Sequence, residues 1–152
     1  MKNISFFVLI LFLYSCGYTS IYKNQELQNY KFEIVKMDGD KKMNNLIKSE
    51  IELYSNKLSK NIYKLVINTD FKKEILTTNS SGDVTDYKLS ITSKFKISYE
   101  DNAQLLEFNE SINIKNLADR FEQDTYEKNI KINFASSIRE KLMSKMFNLH
   151  DN

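Results

Sequence analysis

The chain has 152 residues, with 22 Lys or Arg against 20 Asp or Glu and a formal charge of +2, a balance that does not call for nucleic acid as a partner. One cysteine and one histidine exclude an intramolecular disulfide and a Cys/His metal cluster. The length suits one domain with a real core.

The first residues read as an address. Met1-Lys2-Asn3 is a short positive start, and Ile4 to Tyr14 (ISFFVLILFLY) is apolar or aromatic apart from Ser5, the pattern of an export signal. As a helix this run would reach about 16 Å at ~1.5 Å per residue, against ~30 Å of hydrocarbon, too short for a comfortable permanent span. Leu13-Tyr14-Ser15-Cys16 then has the form of a bacterial lipobox: a branched apolar residue, a small residue beside the scissile bond, and a cysteine whose sulfur takes the lipid. The expectation is a signal peptide over residues 1–15, a lipidated, palmitate-bearing Cys16 opening a polar tether over 16–29, and a single α/β sandwich domain over 30–152. An ordinary signal peptide followed by a stray cysteine is the plainer alternative. One acyl chain binds a bilayer only marginally, so several would make the anchor stable. Gly17, where Asp would mark retention in the inner membrane, points to the periplasmic face of the outer membrane.

Tyr30 to Met37 alternates, with Tyr30, Phe32 and Ile34 on one side, and predicts a strand. Asp38-Gly39-Asp40 predicts a turn whose last residue caps a helix. Lys41 to Lys60 places Met43, Ile47, Ile51, Tyr54 and Leu58 on one stripe of that helix. Period two returns from Ile62 to Thr77, where Tyr63, Leu65, Ile67, Phe71 and Ile75 share a face. Asn79 to Asp83 is the clearest loop. Val84 to Tyr99 is the cleanest strand: Tyr87, Leu89, Ile91, Phe95, Ile97 and Tyr99 face one way, Lys88, Lys94 and Lys96 the other. A short turn over Glu100 to Ala103 leads to Leu105–Ile114, with Leu106, Phe108, Ile112 and Ile114 aligned, and predicts a hairpin.

Asn116 to Gln123 reads either as loop or as an extra helical turn. Asp124-Thr125-Tyr126-Glu127 has the spacing of a capping box. Behind it Ile130, Phe134, Ile138, Leu142 and Met146 recur every fourth residue, flanked by Ala135 and Leu149. The order β-α-β-β-β-α predicts an α+β two-layer sandwich: a four-stranded, mostly antiparallel sheet with two helices on one face. The other face is left to water or a partner.

Chemistry-bearing motifs are sparse. His150 sits beside Asp151 near the C-terminus, a place for fraying more than for catalysis. There is no Gly-rich phosphate loop, no metal-ligand spacing and no nucleophile elbow, and Glu50 and Glu52 read as the solvated side of a helix. The expectation is a protein that is not an enzyme and needs no metal or cofactor. Lys88, Lys94 and Lys96, with Lys64 from the preceding strand, form the one surface array suited to anionic phosphates. Plain solubility and edge protection explain the same lysines.

The Cys16-Gly17-Tyr18 start, the β-α-β-β-β-α layout, the hairpin YKLSITSKFKISYEDNAQLLEFNESINI (Tyr87 to Ile114) and the helix run IKINFASSIREKLMSKM (Ile130 to Met146) together resemble the LPS-assembly lipoprotein family, LptE. The resemblance covers the whole chain beyond the signal. It implies a non-catalytic lipoprotein that sits in the lumen of the outer-membrane β-barrel LptD, helps it assemble, and assists lipopolysaccharide delivery to the outer leaflet. It also implies basic contacts to lipid A phosphates, without assigning them to particular residues. An auxiliary lipoprotein of a lipid-transport ABC system is the competing expectation, since such proteins share the lipobox and an α/β sandwich.

Overall fold

The structure is a computed structural model and describes residues 30–150. The expected signal, Cys16 and the tether lie outside the described residues, as do the side chains of Leu149 and His150. Chain order is β1 (Tyr30–Gly39), α1 (Lys41–Glu52), β2 (Asn61–Thr78), β3 (Val84–Tyr99), β4 (Asn102–Lys115) and α2 (Arg120–His150). The strands lie in sequence order in one sheet. β1 runs parallel to β2 from Tyr30↔Asn61 to Gly39↔Thr69, with a bulge at Val35. The β2–β3 and β3–β4 pairs are antiparallel.

A parallel pair needs a crossover, and α1 supplies it. The joint between strand and helix is tight. Gly39 has φ +86°, and a Cβ on it would lie 2.0 Å from the Thr69 carbonyl oxygen. One residue on, the Asp40 N–H donates to that same oxygen at 2.7 Å. The Asp40 carboxylate accepts from the Met43 N–H at 2.9 Å, which is the N-cap expected from the sequence.

The helix ends earlier than its apolar pattern predicts, at Glu52 instead of Lys60. The cause is local competition for backbone hydrogen bonds. The Asn56 N–H leaves the helix ladder to donate to the Tyr30 carbonyl at 2.9 Å, and the Ser55 hydroxyl accepts from the Phe32 N–H at 2.9 Å. These bonds return the chain to the start of β1, where β2 must begin. Leu58, expected on the buried stripe, is instead 93% exposed.

The loop after β2 is closed by Asn79, whose side-chain oxygen accepts from Ser81 and Asp83, both at 2.9 Å, while Gly82 supplies the positive φ. The β3–β4 turn is shorter than expected, only Glu100 and Asp101, because Tyr99 already pairs with Asn102.

The long helix begins before the predicted capping box. Asp119, not Asp124, is the cap: its carboxylate accepts from the Glu122 N–H at 2.9 Å and its carbonyl from Gln123 at 3.0 Å. Asn116 explains why. It stays bonded to β3 through Thr85 and Val84, each at 2.8 Å, so the chain is free to turn at the next acid available. The ambiguous 116–123 segment is therefore loop first and helix after.

Both helices cover one face. The core joins Met43, Ile47 and Ile51 of α1, Leu65, Ile67, Leu89, Ile91 and Phe95 of the sheet, and Ile138 and Leu142 of α2, all at most 1% exposed. Each such side chain contributes roughly 1.5–3 kcal/mol. Thr69 and Ser93 break the apolar pattern of this face, but their buried hydroxyls lie 3.4 Å apart and partner each other. The distal part of β2 runs past the helical cover, so Ile75, expected in the core, is 62% exposed.

Gly39→Ala should lower unfolding stability by about 2–4 kcal/mol, because the new methyl meets backbone and the φ is wrong for an L side chain. Gly82→Ala, at a similar φ but with open space around it, should cost only about 1 kcal/mol. Urea denaturation of the two variants measures the difference.

Candidate functional site: the uncovered sheet face

The outer face of the sheet carries the lysines singled out from the sequence. Cross-strand register decides which of them act together. Lys96 lies between Val66 on β2 and Leu105 on β4; Lys94 lies between Asn68 and Glu107. Lys64, opposite Ser98, is the diagonal neighbour of Lys96. Lys88 is separated from Lys94 by about 20 Å of extended chain at ~3.3 Å per residue, beside Glu74 and Asn113. The array is therefore a cluster of Lys64, Lys94 and Lys96, with Lys88 standing apart.

The cluster flanks a shallow depression of about 530 Å³ lined by Val66, Asn68, Lys94, Lys96, Leu105 and Glu107. Two ammonium groups and an apolar floor thus share one concavity. Leu105 is 77% exposed. Its place is legible in the sequence, since Leu105 falls on the polar phase of its strand, opposite in phase to Leu106, Phe108, Ile112 and Ile114. Lys94 is ion-paired with Glu107 at 3.3 Å, whereas Lys96 has no ion pair among the described residues. Elsewhere the face is neutralised locally, by Lys36 with Asp38 at 2.7 Å and Lys72 with Asp70 at 3.1 Å.

The cations rest on a stiff base. Between Lys94 and Lys96, Phe95 points inward, fully buried, with its ring 5.8 Å from that of Phe108. Leu65 and Ile67 do the same on either side of Val66. The strand backbone under the depression cannot shift without disturbing the core.

On the covered face, polar ties fix α2 against the sheet. Glu127 accepts from Lys73 and from Gln123 at 2.7 Å, and the Lys73 ammonium also lies 4.0 Å above the Tyr87 ring. Glu110 accepts from Ser137 at 2.5 Å and Lys141 at 2.6 Å. Burial alone would push both carboxyl groups up, but hydrogen bonds and neighbouring lysines outweigh it and hold both below the ordinary glutamate value of 4.5.

Arg139, 7% exposed, joins the helices. Its guanidinium lies 4.4 Å over the Tyr54 ring, donates to the Ser136 hydroxyl at 2.7 Å and pairs with Glu50 at 3.4 Å. This corrects the reading of Glu50 as merely solvated, although Glu52 is exposed as expected. Tyr54, expected on the apolar stripe, serves as a platform for this cation.

No group of three or more His, Cys, Asp or Glu side chains suited to a metal occurs among the described residues. No described helix is long and apolar enough to cross a membrane.

No family model matches the chain, and no curated protein sequence matches it. Its fold does match solved structures. Rare lipoprotein B from Shewanella oneidensis aligns over 78% of this chain and 99% of its own, with 15% identity and a TM-score of 0.56. A protein from Caulobacter crescentus aligns over 83% and 94% of the two chains, with 8% identity and a TM-score of 0.58. Lipoprotein B from Nitrosomonas europaea aligns over 76% and 85%, with 16% identity and a TM-score of 0.50. At these identities the likeness is one of fold.

Because Glu110 and Glu127 have lowered folded-state pKa values, their contribution to stability is complete above about pH 4.5 and is lost as pH falls through the lower folded values. Melting temperature should drop on acidification below 4.5, and the drop should be shallower in Glu110→Gln/Glu127→Gln than in the parent. Thermal melts from pH 7 to pH 3 measure this.

Proposed function

We propose that the protein is a non-catalytic outer-membrane lipoprotein, anchored through Cys16 on the periplasmic face, that plugs and helps assemble the LptD β-barrel and assists lipopolysaccharide delivery. The observation that carries this reading is the pairing of a lipobox at the lone cysteine with a fold shared, over 99% of its length, by a protein named as a lipoprotein. The basic depression supports the ligand part of the proposal. A lipid headgroup offers phosphates to Lys94, Lys96 and Lys64 and the start of its acyl chains to Val66 and Leu105.

An anchored module suits such a role, since a tether holds it beside its partner at high effective concentration. Metabolic labelling with palmitate should mark the wild-type chain and leave Cys16→Ser unmarked; an unlabelled wild type defeats the anchor. A pull-down from detergent-solubilised envelopes should recover a large β-barrel. Recovery of an ABC permease instead would move the protein to the competing transport system.

Within the site the residues are unequal. Replacing Lys88, Lys94 and Lys96 together with Gln should weaken lipopolysaccharide binding by roughly tenfold, as expected for lost charge-assisted hydrogen bonds. Lys88→Gln alone should change it little, and Lys64→Gln should weaken it more than Lys88→Gln. Binding unchanged in the triple variant removes this face from the proposal.

A further inference from the structure

The two edges of the sheet differ in a way that bears on assembly. The β1 edge is interrupted by the bulge at Val35 and carries Lys31, Lys36 and a lysine–aspartate pair, the devices that keep a strand edge from pairing with another chain. The β4 edge has no bulge, and the charges it carries are Glu107, Glu110 and Lys115. It runs 14 residues from Asn102 to Lys115 with no break in register against β3, it contains no proline, and among the described residues no strand pairs with its outer side.

Which backbone groups that edge presents follows from the turn. Tyr99 pairs with Asn102 across only two residues, so the closing pair exchanges hydrogen bonds and even-numbered residues of β4 bond to β3. The bond from the Asn116 N–H to the Thr85 carbonyl keeps the same phase. The odd-numbered residues, from Ala103 to Lys115, therefore turn their N–H and C=O groups outward. Their side chains lie on the uncovered face of the sheet.

We propose that this edge pairs antiparallel with the same edge of a second copy, Ser111 opposite Ser111, to give one continuous sheet across both copies. In that register odd residues meet odd residues, as the outward groups require. Glu107 of each copy faces Lys115 of the other, and Asn109 faces Asn113. Ile114 meets Phe108, and the half-exposed Ile112 gains a neighbour in Glu110, whose carboxylate is already held by Ser137 and Lys141. The neighbouring in-phase registers lose the charge pairing: a dyad at Asn109 sets Glu107 against Ser111, and a dyad at Glu110 sets two carboxylates together. A ladder of this size buries less than the ~1,200 Å² of a standard interface, so the association is weak and concentration-dependent. It rests on strand geometry and does not require the barrel or lipid assignment, although Glu107 is shared with the depression, where it already pairs with Lys94.

Sedimentation velocity of the detergent-solubilised full chain across a hundredfold concentration range should show monomer passing to dimer. Ser111→Pro removes an outward N–H that β3 does not use, and should give a folded monomer by circular dichroism. Lys115→Glu places like charges opposite each other twice and should weaken the dimer roughly tenfold; adding Glu107→Lys should restore it. In a Cys16→Ser background, Ser111→Cys should form a symmetric cross-link on mild oxidation. A chain that stays monomeric throughout, or a dimer that survives Ser111→Pro, overturns the proposal, as does a charge swap that fails to rescue Lys115→Glu.

Discussion

A sheet whose strands alternate apolar and polar side chains has one face that must leave water and one that need not. In this molecule the alternation holds across β2, β3 and β4, so the helices have only one side on which to pack. The position of the first helix is set by backbone contact at the Gly39–Asp40–Thr69 joint. One carbonyl accepts the N–H that starts the helix, and the absent Cβ lets the strands approach. From that contact the parallel β1–β2 pair, the placement of α1 and the space left for α2 all follow.

The uncovered face inherits its character from the covered one. Every second residue is locked inward by packing, and the intervening residues are presented outward at fixed spacing. The backbone beneath the basic cluster is therefore held by packing, and at the surface Lys94 is tied to Glu107. Lys96 stands beside exposed leucine and half-buried valine because residues three strands wide share one phase of the pleat.

Much of this was legible from period alone. The alternation from Val84 to Tyr99 spans the observed bounds of β3, and the alternating residues of β2 through Phe71 face inward as their spacing requires. What failed were the places where hydrogen bonding or the limit of cover overrode pattern. Tyr54 and Leu58 continued a helical stripe that Ser55 and Asn56 had already ended. Asp124 had good capping spacing, but Asp119 came first in a chain still tied to β3. Ile75 kept the right phase on a strand that outruns its helices. The site was half visible: the lysines could be placed on one face, yet only cross-strand register could separate Lys88 from Lys94 and Lys96 and bring Val66 and Leu105 to either side of Lys96. Glu50 looked idle because its partner, Arg139, lies far along the chain.

The parallel alignment of β1 with β2 has a mechanical consequence. Tension reaching Tyr30 along the preceding chain pulls β1 along its own axis, so the hydrogen bonds from Tyr30↔Asn61 to Gly39↔Thr69 share the load in shear instead of opening one after another. A hairpin strand pulled at its free end would peel. The anchor proposed at Cys16 would thus load the chain through the strand best arranged to resist it.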